Sequence, residues 1–396
     1  MQSIQSLAQP HAGKQASIQI GLLYWWFFGG MGAFGPFLTV YYRQLGLSSS
    51  QIGLLSSVVP LATAILAPIM GILADRWNAH RLILRMALVF TAAVVLLMTL
   101  ARSFELFLPL VIMLALVFAP IASFVDSFAV TTSQRTHVAF GKMRVSGSLA
   151  FMISSFALGR MMGNTVQTYF LPVYAGCLLL CCLSTIGLPA LQGHSSRRFS
   201  QKSTSMLRQP ALLVLLVAGF LSACGSSIVF NFQGLYVKEL GGSTALVGAA
   251  SSMAALSEMP IMFLSGWLAL HLGGKRMVIM ALIMYIFRSL SLSLMPSADW
   301  IIPVQILHGP SFGIFMMATV NLVYEFAGPE LAATAQGLLA SAVSFGIIIG
   351  ALAGGVIIDN FGFVIVFRCA AFMALLALLV FMIGSSRGQR VGSVEC

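Results

Sequence analysis

The sequence is poor in charged residues, which make up only 8% of its 396 positions, whereas hydrophobic residues make up 59%. A soluble domain carries about 25% charged residues, so this composition excludes a soluble fold. The mean hydropathy of +0.97 agrees with that exclusion. Because a membrane-crossing helix needs about 20 apolar residues, about a dozen spans use most of the chain. No room remains for a separate catalytic domain.

Motifs for nucleotide and metal chemistry are also missing. The sequence has no H-E-x-x-H and no phosphate-binding G-x-x-x-x-G-K-[ST], which disfavours ATP-driven transport and leaves an ion gradient as the energy source. The six cysteines lack the paired spacing of metal ligands and are interpreted as packing residues. We therefore predict no cofactor, no metal site and no catalytic residue.

One short stretch imitates an enzyme motif. Gly309-Pro-Ser311-Phe-Gly313 matches the G-x-S-x-G nucleophile elbow and directly follows His308. That mechanism requires a strand, a turn and a helix in succession, whereas Gly and Pro inside a membrane helix favour a bend. An intramembrane enzyme is kept as a remote alternative.

The apolar runs predict an all-α polytopic membrane protein with twelve transmembrane helices, since only helices satisfy their own backbone in lipid over runs of this length. The predicted spans are 17–41, 51–75, 82–101, 106–131, 141–163, 168–190, 211–237, 245–270, 277–297, 300–325, 331–357 and 362–385. Residues 17–190 and 211–385 are predicted as two six-helix halves, with 1–16 and 386–396 as polar tails. The Ser-rich, basic residues 191–210 read as a linker between the halves.

Basic residues are unevenly distributed between the two sides of these spans. With the N-terminus inside, four cations fall outside, namely Arg43, Arg102, Arg160 and Lys238. The cytoplasmic side receives Lys14, Arg76, Arg81, Arg85, Arg135, Lys142, Arg144, Arg197, Arg198, Lys202, Arg208, Lys275, Arg276, Arg387 and Arg390. This bias predicts that both termini are cytoplasmic, in the inner (plasma) membrane. It also explains the net charge of +11 without a nucleic-acid partner.

An internal repeat supports the division into halves. Residues 30–81 align without a gap onto residues 225–276, an offset of 195, and 14 of the 52 pairs are identical. Biased composition alone gives about five identities. Parallel repeats related by an axis along the membrane normal are typical of alternating access around a midplane site.

The segment Gly71-Ile-Leu-Ala-Asp75-Arg76-Trp-Asn-Ala-His-Arg81 resembles the loop motif G-x-x-x-D-R-x-G-x-x-R of the major facilitator superfamily, with Asn in place of the second Gly. The resemblance implies a cytoplasmic gate in which the Asp pairs with nearby cations. Its second copy retains Gly266, Lys275 and Arg276 without the carboxylate. Alternatively, these charges only cap helix ends and set the topology.

Three further stretches, FGKMRVSGSLAF (140–151), SEMPIMFLSG (257–266) and LHGPSFG (307–313), resemble the phenylpropionate and nucleoside permeases and, more distantly, lactose permease. This resemblance implies a proton-coupled symporter that imports a small polar solute, which is an aromatic carboxylate, a nucleoside or a sugar. The predicted partners are that solute, protons and the lipid bilayer, and the protein is predicted to be a monomer. A proton-driven drug or metabolite exporter of the same fold is the alternative.

Three ionisable residues are predicted to lie near the membrane midplane. At about 1.5 Å rise per residue, Glu258, Arg288 and His308 reach similar heights on three neighbouring helices. A carboxyl group that gains and loses an arginine partner can take up and release a proton, so Glu258 is the predicted proton carrier. Arg288 is its switching partner or an anchor for a substrate anion, and His308 resembles the coupling histidine of the lactose-permease group. Alternatively, the three form a static network.

A second pair, Asp126 and Arg144, lies in the N-terminal half, where substrate contact and gating or structural pairing both stay open. The predicted substrate-binding set is Asp126, Arg144, Asn231, Gln233, Arg288 and His308. Tyr24, Trp25 and Trp26 either stack on a ring-shaped substrate or have an interfacial or packing role. Glycines at 346, 350 and 354 predict a small-residue face for close helix packing.

Overall fold

A computed structural model describes residues 9–136, 140–188 and 209–391. Residues 191–208 of the predicted linker and the ends of both tails lie outside this range. We call residues 9–188 the N-terminal part and residues 209–391 the C-terminal part. The helices are α1 (Gln9–Gln44), α2 (Ser49–Trp77), α3 (His80–Met98), α4 (Phe104–Phe118), α5 (Ile121–Thr136), α6 (Phe140–Met162), α7 (Phe170–Ser184), α8 (Pro210–Glu239), α9 (Thr244–Ser293), α10 (Ile301–Ile306) and α11 (Ile314–Val391).

Glycines with positive φ angles divide the two longest helices. Gly273 (φ 72°) separates α9 into two arms, 244–272 and 274–293. Gly328 (φ 69°) and Gly362 (φ 80°) separate α11 into three arms, 314–327, 329–361 and 363–391. Residues with a side chain rarely adopt this conformation, which is why glycine stands where the chain turns.

The predicted all-α class is confirmed for the described residues, which contain no β-strand. Within them, nine helical segments are long and apolar enough to cross a membrane. The predicted span 106–131 is divided between α4 and α5 at Pro120, which has no N–H to continue the helical ladder. The predicted span 300–325 contains α10 and then a π-helical turn, Gly309–Gly313. The G-x-S-x-G residues therefore lie in a helical setting.

The internal repeat is visible in the caps that begin two helices. The Ser48 hydroxyl accepts a hydrogen bond from Gln51 N (3.2 Å) at the start of α2. The Ser243 hydroxyl, 195 residues later, accepts one from Leu246 N (3.1 Å) at the start of α9. Such caps satisfy backbone donors that the helix itself leaves unpaired. The α2 helix ends at Asn78 in the left-handed region (φ 48°), where Asn is tolerated in place of the motif's glycine.

The two parts contact each other at one end of the bundle, which we call the closed end, where residues 44–49, 163–170, 239–244 and 357–362 lie. Two seams are formed there, α2 against α11 and α6 against α9. In the second seam the hydroxyls of Ser155 and Ser252 are 2.8 Å apart. At the opposite end, in the described part of the chain, Gly71 and Gly266 have no atom within 4 Å of an added Cβ. The gate-motif glycines therefore contact no facing helix.

Close packing inside the C-terminal part relies on the predicted glycine face of α11. A Cβ added to Gly346 or Gly350 would collide with backbone atoms of α8, and one added to Gly354 would meet the Phe232 ring at 2.7 Å. These glycines let α8 and the middle arm of α11 approach closely. Gly337, on the same arm, has open space around its Cβ position.

Substitution of these glycines tests the packing. Gly350→Ala should lower the free energy of unfolding by about 1–3 kcal/mol because the added methyl overpacks the helix contact. Gly337→Ala is the matched control and should stabilise by up to about 1 kcal/mol through helix propensity. Thermal unfolding of the purified protein in one detergent gives both values, and equal behaviour of the two variants would contradict the packing role.

Candidate functional site

Glu258 and His308 form a direct contact between the first arm of α9 and the segment after α10. The distance from His308 Nε2 to Glu258 Oε1 is 2.7 Å, and the side chains are 17% and 25% exposed for His308 and Glu258. The His308 ring also stacks on Phe312, with centroids 5.3 Å apart. Thus two of the three predicted midplane residues meet, and both are partly exposed.

The π-helical turn positions His308. Gly309 N donates a hydrogen bond to Ser257 Oγ (2.9 Å), and a Cβ on Gly309 would collide with the Ser257 backbone. The chain segment bearing His308 can therefore approach α9 closely only with glycine at 309. Widened turns of this kind recur at functional sites. The Gly309-Pro310 sequence thus positions His308, the residue that precedes it.

Arg288, the third midplane residue, lies beside the first two but has other hydrogen-bond partners. Its Nη2 atom donates to Gln305 Oε1 (2.8 Å) and more weakly to Gln233 Oε1 (3.5 Å). Gln305 Nε2 in turn donates to Gln233 Oε1 (2.7 Å). Arg288 is only 3% exposed and Gln305 is fully buried. Two neutral amides therefore hold the buried guanidinium.

Gln305 is a site residue that the sequence interpretation missed. It precedes His308 by three residues and so shares its helix face, which is the signal that could have identified it. Gln233 was predicted, and it also lines a narrow pocket between the two parts, beside Thr39 and Ser251. The amide network therefore connects Arg288 to the interface between the parts.

In the N-terminal part, Asp126 accepts a hydrogen bond from Tyr24 Oη (2.6 Å). Arg144 Nη1 lies 3.7 Å from the same carboxylate oxygen, and its guanidinium carbon lies 5.6 Å from the Phe28 ring centroid. Asp126 is 47% exposed and Arg144 26% exposed, whereas Tyr24 is buried. The predicted pair is therefore observed, and Tyr24 orients the carboxylate instead of offering a free ring face.

The remaining predicted residues lie apart from these clusters. The Asn231 amide donates to Ser227 O (2.9 Å) and Ser227 Oγ (3.1 Å) on its own helix. In the gate motif, Asp75 Oδ1 lies 2.9 Å from His80 Nε2, a partner that the sequence interpretation did not include. Arg76 and Arg276 are exposed, and Arg81 and Lys275 are half-buried. The gating role of this motif stays a prediction.

Long apolar helices with paired ionisable side chains inside each of two repeat-related parts are the features of a multi-pass membrane transporter. The sequence profile of the MFS_1 like family matches residues 17–369. The chain belongs to this family, and its resemblance to major facilitator superfamily transporters is confirmed. Its place is accordingly the inner or plasma membrane, which it crosses several times.

Relatives and solved structures agree with this membership. The maltose permease of Geobacillus stearothermophilus is 27% identical over 378 residues, which cover 94% of this chain and 95% of the relative. A protein of Escherichia coli (strain K12) named "Probable 3-phenylpropionic acid transporter" is 25% identical over 331 residues, covering 80% and 84%. The crystal structure of the nucleoside transporter NupG superposes with a TM-score of 0.81 at 16% identity, covering 93% and 98%, and this likeness shows the shared fold.

The buried amide network generates a stability prediction. Gln305→Met keeps the side-chain volume but deprives Arg288 and Gln233 of a partner, and an unsatisfied buried polar group costs about 1–3 kcal/mol. Thermal unfolding in detergent should show this loss. Gln167→Met, at an exposed position, is the control and should change stability by less than about 0.5 kcal/mol. Equal stability of the two variants would show that Gln305 does not hold Arg288.

Proposed function

We propose that this protein is a proton-coupled symporter that imports a small polar organic solute by alternating access. The observation that carries the proposal is the contact between Glu258 and His308, 2.7 Å apart and partly exposed inside apolar helices. Ionisable residues in membrane spans are costly and mark ion and proton pathways. Twelve transmembrane helices with both termini in the cytoplasm complete the proposed architecture.

We assign the proton-carrying role to Glu258. A proton carrier needs surroundings that differ between the two states of the cycle, and Glu258 has two basic residues near it on different segments, His308 and Arg288. In this state it contacts His308, while Arg288 is bound to glutamines. An exchange of these partners during the cycle would alter the proton affinity of the carboxyl group.

The proposed topology assigns a direction to the observed state. With both termini in the cytoplasm, the closed end faces outward and the gate motif lies at the inward end. The protein is then closed to the outside, and Asp75 is bound to His80 of its own part instead of bridging the two parts. This state corresponds to the release of an imported solute.

The pairing of charges favours a neutral solute, such as a sugar or a nucleoside, over a carboxylate. Arg144 lies beside Asp126, and Arg288 is buried with two glutamine partners. A carboxylate bound to Arg144 would leave Asp126 without its cation, and one bound to Arg288 would displace the two glutamines from the guanidinium. Hydroxyl groups can instead bond to amides such as Gln233. The name maltose permease among the similar proteins supports this choice, whereas the name 3-phenylpropionic acid transporter supports a carboxylate.

The substrate class is tested with solutes that differ in one group. In a thermal-shift screen of the purified protein, a neutral glycoside should bind at least about tenfold more tightly than the uronate of the same skeleton, a difference of about 1.4 kcal/mol. Nucleosides are screened beside them. Preference for the uronate or for aromatic carboxylates would overturn the neutral-solute assignment while leaving the transport proposal intact.

Proton coupling is tested by separating uphill uptake from exchange. Glu258→Gln keeps the shape but removes the titration, so gradient-driven accumulation in proteoliposomes should fall until the internal solute concentration only equals the external one. Counterflow should persist, because exchange needs no net proton movement.

Glu239→Gln, an exposed carboxylate at the end of α8, is the matched control and should accumulate solute like the unmodified protein. Full accumulation by Glu258→Gln would remove Glu258 as the carrier and redirect attention to Asp126. Outward movement of solute in exchange for protons would support an exporter instead.

A further inference from the structure

Asp359 on α11 reaches across the closed end to the start of α2 in the other part. Its Oδ1 accepts from Ser49 N (2.9 Å), and its Oδ2 accepts from Ser50 N and Ser50 Oγ (both 2.7 Å). Residues more than 300 positions apart thus form three hydrogen bonds. A carboxylate at this position also meets the positive end of the helix dipole.

The contact completes the backbone pairing at the start of α2. Gln51 N donates to Ser48 Oγ, and Ile52 N donates to Ser48 O. Asp359 accepts hydrogen bonds from the two N–H groups that precede them, Ser49 N and Ser50 N. Ser49 N and Ser50 N have no acceptor within a helix that begins at Ser49, so these two N–H groups are satisfied by Asp359 while the two parts are together.

The packing beneath Asp359 is built for close approach. Residues 351, 355 and 359 are spaced by four and share one face of α11. A Cβ added to Gly53 would collide with Ala351 O, and one added to Gly355 would collide with the Ser49 backbone. Glycine on both sides brings the main chains together and places the carboxylate over the helix start.

The seam between α6 and α9 corresponds, through the 195-residue repeat, to the seam between α2 and α11. Its hydrogen bonds at the helix start have a different acceptor. Thr244 and Ala245, each 195 residues after Ser49 and Ser50, donate their N–H groups to Gly163 O (3.1 and 3.3 Å). Lys238 Nζ adds a bond to Asn164 O (2.7 Å). The hydrogen-bond acceptor is therefore a neutral main-chain carbonyl in the α6–α9 seam and a charged carboxylate in the α2–α11 seam. Hydrogen bonds to an ionised acceptor are shorter and stronger than neutral ones.

We propose that Asp359 is the positioning residue of the gate at the closed end. Its carboxylate holds α2 against α11 while the site opens toward the opposite end, and it leaves Ser49 and Ser50 when the closed end opens. The strength of this contact sets the population of the two states. The proposal rests on the proposed function only in requiring that the two ends open alternately.

Thiol-labelling rates at the two ends test the proposal in the full-length purified protein. With the six native cysteines replaced by alanine, Ser251→Cys reports on the pocket near the closed end and Gly266→Cys on the opposite end. Asp359→Ala should raise the maleimide labelling rate at the first reporter by at least roughly fivefold, because three hydrogen bonds to a carboxylate are lost, and lower it at the second. Asp359→Glu, which keeps a carboxylate, should restore part of the unmodified ratio.

Asn360→Ala is the matched control, because Asn360 is exposed and bonds only within its own helix in the described contacts; it should leave both rates unchanged. A lower melting temperature in Asp359→Ala with unchanged labelling rates would overturn the gate proposal. Asp359 would then only cap the start of α2. If Asp359→Ala does not fold, Ser50→Ala removes one of the three bonds and should shift both rates in the same directions, and unchanged rates there would equally overturn the proposal.

The labelling assay needs no solute and no gradient. Unchanged labelling beside intact proton-coupled uptake would therefore refute the gate alone. Shifted labelling in a protein that shows no coupled uptake would refute the proposed symport and leave the gate standing.

Discussion

A hydrocarbon interior tolerates a charged side chain only when polar partners share its charge or water reaches it. The described interior follows this constraint at three places. Asp126 is shared between a tyrosine and an arginine, Glu258 contacts a histidine, and Arg288 is held by two amides. Since the partners in each case come from different segments of the chain, the helices cannot shift relative to one another without exchanging partners. Stability and movement therefore depend on the same contacts.

Much of the fold could be predicted because the membrane restricts the solutions. Apolar runs long enough to cross a bilayer must be helical, and residue counting along those helices placed Glu258 and His308 at one height. Their separation of 2.7 Å agrees with that estimate. The caps at Ser48 and Ser243 likewise follow the offset found in the sequence.

The rotation of each helix about its axis could not be predicted, and that rotation decides which polar groups meet. Arg288 was predicted as a switching partner of Glu258 or as an anchor for a substrate anion, and that role stays a prediction. Its observed partner Gln305 attracts no attention in an apolar run because it carries no charge. His80 is the observed partner of Asp75 for a local reason, since it follows a left-handed turn at Asn78 that reverses the chain. Asp359 reads in the sequence as one more polar residue between two spans, because its partners are more than 300 residues away.

The seams at the closed end bring main-chain atoms of the two parts close together, with glycines at 53, 159, 248 and 355 opposite backbone of the other part. Glycine has no rotamers to lose, whereas long side chains lose up to about 2 kcal/mol of conformational entropy when they are immobilised. These surfaces can therefore come together and separate with little loss of side-chain conformational entropy. In the proposed alternating access, the directional bonds at the rim would add to the apolar contacts that resist rocking of the two parts, and residues that line the central site could differ without altering the surfaces on which the parts turn.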